Sequence, residues 1–196
     1  MAHEYAELDA LKSNFNIETG DTSRDTMLQS VLTAASRGID TSTGRRFWLD
    51  EEPTARTFRT RGRIACAEDG GERLLLDDIG AAPALVETGS ASSWTDVTDY
   101  EPGPDNALVR GRPITSLAVP GRWATSQRVR VVARWGWPQV PDEIRQAALI
   151  QAARLYRRKD SPEGVAGSAE WGVVRLSRRD PDVWALIEHF ILPGFG

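Results

Sequence analysis

Two histidines, His3 and His189, lie almost at opposite ends of the 196-residue chain, and Cys66 is the sole cysteine. A zinc site needs several converging Cys, His or carboxylate ligands, so this inventory cannot make a usual one. Asp50-Glu51-Glu52 and Asp77-Asp78 could touch a hard cation, but adjacent acids in turns are more simply solvated. Nucleophilic catalysis requires an activated Ser, Cys or Lys beside a base. No G-x-S-x-G occurs, and Cys66, within Ile64-Ala65-Cys66-Ala67, has the surroundings of a buried strand position. His189 adjoins Phe190 at the edge of an apolar stripe. The Gly-Val-Ala-Gly run at 164–167 lacks the Lys-Ser/Thr that a phosphate cradle requires. Nothing singles out a glycosidase-type carboxylate pair. The expectation is a protein with no catalytic residue, no metal and no cofactor.

What the chain has in quantity is arginine and tryptophan. Of 24 basic residues 22 are Arg, and there are seven Trp. Arginine favours bidentate pairing at interfaces, although such a bias equally fits a GC-rich genome. Arg154, Arg157, Arg158 and Lys159 cluster at one helix end, and Arg175, Arg178 and Arg179 precede the last helix, with Tyr156 and Trp171 nearby for stacking. That grouping would suit nucleic acid, but a pI of 5.3 is far from the usual basic footprint. Arg and aromatic side chains together also form interface hot spots, which points to assembly.

The elements that must position these residues fall into three stretches. Residues 6–13 read as a short helix, and Thr22-x-x-Asp25 reads as a capping box opening a helix through Ile39. Strand candidates follow at Thr54–Thr60, Arg73–Leu76, Ala84–Glu87, Ile114–Val119 and Arg128–Ala133, with turns at 68–71, 89–93 and 101–104. Trp135 and Trp137 bracket Gly136 where strand passes to helix, and are expected to lock the two together. Pro141 at the first helical position and acids in the first turn start a helix running to about Lys159. Eight of the ten residues from Ala147 to Tyr156 are apolar or aromatic. Either that helix is central to the fold or its second face meets another subunit. After a Gly/Pro-rich loop and a possible strand at 172–176, Asp180 and Pro181 open a last helix with a stripe of Val183, Trp184, Leu186, Ile187, Phe190 and Ile191.

The fold class expected is α+β: a small helical bundle with an inserted β-rich section. The divisions are 1–47 for N-terminal helices, 48–135 for the β-rich insert and 136–196 for the C-terminal helices and loop. Net charge is −4, but it divides as −5 over residues 1–52, −5 over 53–108 and +6 over 109–196. The N-terminus has no signal-peptide character and no apolar run nears the 18–20 or so residues of a membrane span. These features predict a soluble protein made in a reducing compartment, with no membrane partner.

In this order the residues resemble the head–tail connector (adaptor, head-completion) proteins of long-tailed bacteriophages. The matching pieces are Tyr5–Leu11, Ala34-Ala35-Ser36-Arg37-Gly38-Ile39-Asp40 with Thr43-Gly44-Arg45-Arg46-Phe47, and Arg112-Pro113-Ile114. They continue with Val131–Gly136, Val140-Pro141-Asp142-Glu143-Ile144-Arg145-Gln146-Ala147-Ala148, the Arg157-Arg158 helix end and Asp180-Pro181-Asp182-Val183. The resemblance implies a virion protein of the neck, assembled in the host cytoplasm as a homo-oligomeric ring of twelve copies. That ring would dock beneath the portal protein, receive a tail-side connector or tail-completion protein, and line the channel through which genomic DNA leaves without sequence-specific binding. It implies no catalysis. The long insert at 48–135 departs from the shorter, almost all-helical members. Because a head-to-tail contact needs two complementary patches, the acidic front and basic back of the chain are the expected pair. The candidate subunit or partner contacts are Arg154, Arg157, Arg158, Trp171, Arg175, Arg178, Arg179, Phe190 and Phe195, the last two within an apolar C-terminal stretch. The competing expectation is a DNA-binding accessory protein using the Arg-rich C-terminal part.

Overall fold

The computed structural model describes residues 3–66, 71–90, 93–123, 128–158, 165–166, 174–175 and 180–192. Two compact units emerge, one of residues 1–45 with 140–196 and one of residues 46–139. The protein is α+β.

The first unit is helical: α1 (Leu8–Ser13), α2 (Asp25–Thr43), α3 (Asp142–Arg158) and α4 (Pro181–Ile187), the last prolonged by a 3-10 turn to Phe190. α3 packs on α1, α2 and α4, so it is the central helix. Its Ala147, Ala148 and Ala152 are fully buried, and small side chains there allow close approach on more than one side. Leu11, Leu28, Leu32, Ala35 and Ala152 form a core with Leu8, Phe15, Ile17, Leu149 and Tyr156 against it. Gly44, in the left-handed conformation, ends α2 by donating its N–H to the Asp40 carbonyl. Asp180 caps α4 by accepting from the N–H groups of Asp182 and Val183, with Pro181 in first place, as its sequence signature predicts. Pro141 lies one residue before α3, where its carbonyl accepts from Ile144 and Arg145.

The expected capping box is not formed. Arg24 occupies the N-cap of α2 without a side-chain bond, and the preceding turn is held by Asp21 accepting from the Ser23 N–H. Asp25 is engaged elsewhere: its carboxylate lies 2.6 Å from Lys12 Nζ, and the Lys12 side chain is 3% exposed. The same ammonium donates to the Thr19 carbonyl. A buried cation costs free energy unless it is paired, so these two oxygens are what allow α1 to close over the core. The segment before α1 is pinned as well, by Tyr5 N–H donating to Ser36 Oγ and by the short hydrogen bond from the Tyr5 hydroxyl to Asp40.

The second unit holds two four-stranded antiparallel sheets. One runs β1 (Thr54–Arg59), β8 (Arg128–Ala133), β4 (Leu85–Ser90), β5 (Ser93–Asp96), and the other β2 (Ile64–Cys66), β3 (Glu72–Ile79), β7 (Ile114–Val119), β6 (Glu101–Gly103). Inward residues of both sheets, including Phe58, Leu74, Ile79, Val86, Leu117, Val129, Val131 and Trp135, make one core. β3 is irregular between Leu75 and Ile79. At its end, while Ile79 still pairs with Ile114 of β7, it also meets the segment after β8: Ile79 bridges Trp135, Asp78 O accepts from Gly136 N–H, and Gly80 N–H donates to Arg134 O. Trp135 and Trp137 both act inside this unit. Trp135 is fully buried, donates to Thr54 O and packs on Phe58; Trp137 donates to Asp78 and packs on Phe47. Two sequence expectations are corrected: residues 101–103 form an edge strand rather than a turn, and Cys66 ends a short edge strand in exposure. Of the possible strand at 172–176, only Val174–Arg175 is described, paired with Val165–Ala166.

Replacing Asp25 with Ala should lower stability by about 2 kcal/mol or more, because Lys12 is left buried and without its counter-ion. Lys12→Met should cost clearly less, since it removes the charge with the burial problem. Urea unfolding of both variants checks the order. Gly136 sits at φ +107°, and an added Cβ would fall 1.8 Å from Trp48 O. Gly136→Ala should therefore destabilise the β-rich unit by about 3 kcal/mol or more, measurable as an early transition in thermal unfolding.

Candidate functional site

The candidate contact residues are not one cluster. Arg157 and Arg158 project from the C-terminal end of α3 and are exposed. Cations there complement the helix dipole, and the Arg157 guanidinium also lies 5.7 Å over the Phe15 ring. Arg154, one turn earlier, points inward. Its side chain is 21% exposed, with Nη1 2.8 Å from Asp180 Oδ2. Arg154 thus ties the middle of the bundle to the cap of α4, and most of its charge is answered within the subunit. Phe190 lies in the interior at 9% exposure and offers a partner little surface. Trp171, Arg178, Arg179 and Phe195 lie outside the described residues, as does the Arg175 side chain.

A shallow cavity of about 160 Å³ opens in the helical unit between α2, α3 and α4, lined by Gly38, Ser42, Gln151, Asp180, Val183 and Trp184 among others. Its polar groups are a hydroxyl, an amide and a carboxylate that already caps a helix, with no nucleophile–base pair. Among the described residues no group of three His, Cys, Asp or Glu side chains could hold a metal ion, and no helix is long and apolar enough to cross a membrane.

The charged features that the sequence alone leaves hidden lie on the β-rich unit. On the outer face of the first sheet, Arg130 on β8 makes a forked pair with Glu87 on β4, Nε to Oε2 at 2.6 Å and Nη2 to Oε1 at 2.8 Å. The Arg130 guanidinium also lies 4.5 Å over the Trp94 ring. Arg130's hydrogen bonds hold the Glu87 carboxyl below its ordinary value, against the opposing effect of burial. One row further along, Arg59 and Arg128 stand directly opposite each other on β1 and β8, both exposed and neither ion-paired among the described residues. Like charges so placed repel. The alternation of residues 54–60 places Arg59 outward, but only the register of β1 on β8 brings Arg128 to it.

The sequence pattern of an acidic front and a basic back does not survive folding. The helical unit unites both termini and carries 12 basic and 15 acidic side chains; the β-rich unit carries 12 and 13. Each unit is close to neutral, and charge separation must be sought within a unit.

No protein-family profile and no curated protein sequence matches the chain. Solved structures do match in fold. A chain in the neck of an empty gene transfer agent particle, computed with C6 symmetry, aligns with a TM-score of 0.53 and 20% identity over 100% of this chain and 98% of that one. A chain in the virion of a native gene transfer agent particle aligns with a TM-score of 0.51 and 20% identity over 98% and 92%. At this identity the likeness is one of fold, and it includes the helical unit and the β-rich unit alike.

Glu87→Gln tests the outer-face pair. A folded carboxyl held below its unfolded value adds stability that is present above the ordinary glutamate range, near pH 4.5, and is lost as pH falls through the depressed value. The wild type should therefore lose stability on acidification below that range, whereas Glu87→Gln should be less stable at pH 7 and lose less. Urea midpoints measured from pH 7 down to pH 3 check this.

Proposed function

We propose that the chain is a structural head–tail connector of a phage-like particle: a ring-forming neck protein beneath the portal that joins the capsid to the tail and leaves a central channel for DNA. The observation that carries this reading is the fold shared, end to end, with a chain of a gene transfer agent neck. A match covering both chains almost entirely argues for the same kind of building block rather than for one shared module. The sequence resemblance to phage connectors, drawn from different features, points the same way. The six-fold symmetry of that neck favours a copy number that is a multiple of six, and twelve is such a number. Many of the described arginines are exposed, which suits a protein that works through contacts with partners. DNA would pass with only weak phosphate contact, since tight binding would hinder movement.

In this reading Arg157 and Arg158, the exposed cations at the end of α3, meet acids of a neighbouring subunit or of the portal. The Arg157→Glu/Arg158→Glu variant should fold normally, since both side chains are exposed, and should lose ring formation or portal attachment. Solution mass and electron microscopy of the purified protein, alone and with portal protein, decide it. Closed rings or portal-bound rings that vanish in the variant support the role. A wild-type protein that never assembles, and is retained on DNA in a salt-sensitive way, would overturn it in favour of a DNA-binding accessory protein.

A further inference from the structure

The two sheets of the β-rich unit end in two lateral edges, and each edge is continuous from one sheet to the other. On one side β1 passes directly to β2 through a tight turn closed by the Arg63 N–H donating to Thr60 O. On the other side β5 passes directly to β6 through residues 97–100. Each sheet has four strands, so the two edges are separated by three strand spacings, roughly 14 Å, across the unit. Among the described residues no further strand pairs with the outer side of these four edge strands.

The edges are opposite in charge. The β1–β2 edge carries Arg59 and Arg61, with Arg128 beside Arg59 on the adjoining strand; all three are exposed and none is ion-paired among the described residues. No acid occurs in residues 54–66. The β5–β6 edge carries Asp96, Asp99, Glu101 and Asp105, again exposed and without an ion pair among the described residues, and no basic residue occurs in residues 93–105. A groove of about 450 Å³ opens at this acidic edge, lined by Leu85, Val97, Tyr100 and Pro102, with Asp96 in its wall. Leu85 there is 37% exposed. The groove is large enough to take a protruding turn, its floor would accept the aliphatic stem of an arginine, Tyr100 offers a ring face for the guanidinium, and Asp96 supplies a counter-charge.

We propose that this groove receives the β1–β2 turn of a second copy of the chain, with Arg59 and Arg61 of one subunit meeting Asp96, Asp99 and Glu101 of the next. The inference rests on the ring reading above and specifies the contact that propagates it. Two different edges on opposite sides of one unit make a heterologous contact, which closes into a ring when the rotation per step allows. Unmatched arginines facing each other across β1 and β8 repel within the lone subunit, and a carboxylate edge from a neighbour would relieve that repulsion. Free strand edges without a covering element are liabilities that a docked neighbour removes.

Charge reversal on one edge at a time provides the test. Arg59→Glu/Arg61→Glu/Arg128→Glu makes the β1–β2 edge acidic like its opposite, since Arg56 and Arg63 share Asp77, and Asp96→Arg/Asp99→Arg/Glu101→Arg leaves three cations against Asp105 and makes both edges basic. The six side chains are exposed and without an ion pair among the described residues, so thermal midpoints of the separate subunits should match the wild type. Assembly, counted as rings by mass and electron microscopy with and without portal protein, should fall at least about tenfold for each variant alone, because like charges are brought together across the contact. An equimolar mixture of the two should recover assembly, with acidic and basic subunits alternating. Either variant assembling as the wild type does, or a mixture that stays dispersed, overturns the edge contact while leaving the connector role standing. If the wild type fails to assemble even on the portal, the ring reading fails and the edge contact falls with it.

Discussion

The β-rich unit depends on the side-by-side passage of its first and last residues. Asp50 N–H donates to Trp135 O, Arg134 Nε donates to Asp50 O, and Arg46 reaches both Asp50 and Trp135 O. Trp48 O lies so close to Gly136 that no side chain fits there. β3 completes the junction from the other side through Asp78 and Gly80. Three separate stretches of backbone thus meet around one glycine, and the two indoles of Trp135 and Trp137 fill the space about it. The core of both sheets is organised outward from that point, since Ile79 and Trp135 belong to the same apolar cluster as Val86, Leu117 and Val129.

Much of the secondary structure was legible because its signals are local. Arg128–Ala133 alternates over six residues with the buried side facing the core, Ile114–Val119 is a short apolar run bounded by turn residues, and both strands form at those bounds. The Asp180–Pro181 pair acts through the next two N–H groups, which is a purely local matter. The misreadings share a different cause, a partner distant in sequence. Asp25 looks like part of a capping box until Lys12 is packed beside it. Glu101-Pro102-Gly103 has turn composition, and becomes a strand because β7 lies alongside to pair with it.

The same distinction governs the assembly surface. A cluster of arginines contiguous in sequence was visible at the end of α3, but whether each one faces solvent depends on packing: Arg154 turns toward Asp180 while Arg157 and Arg158 do not. The basic run at 54–66 and the acidic run at 93–105 are contiguous in the chain, but only strand order makes them opposed edges, and Arg128 reaches Arg59 only through register. Charge summed along a sequence also misleads when the chain returns to an earlier element. Here the six excess cations of residues 109–196 all fall in residues 109–139, where they meet the acids of residues 46–108 inside the β-rich unit, while residues 140–196 carry eight charges of each sign.

The paired entrance and exit at residues 46–50 and 134–137 carry a consequence for how such chains diversify. A segment whose two ends are hydrogen-bonded neighbours can be lengthened, shortened or exchanged wholesale without altering the gap that its host must bridge. Residues 46–139 form such a cassette: one continuous length of polypeptide with its own core and adjacent ends. A lineage could replace it to suit a new neighbour in the particle while the four helices stay as they are, so the helical unit and the cassette are free to change at different evolutionary rates.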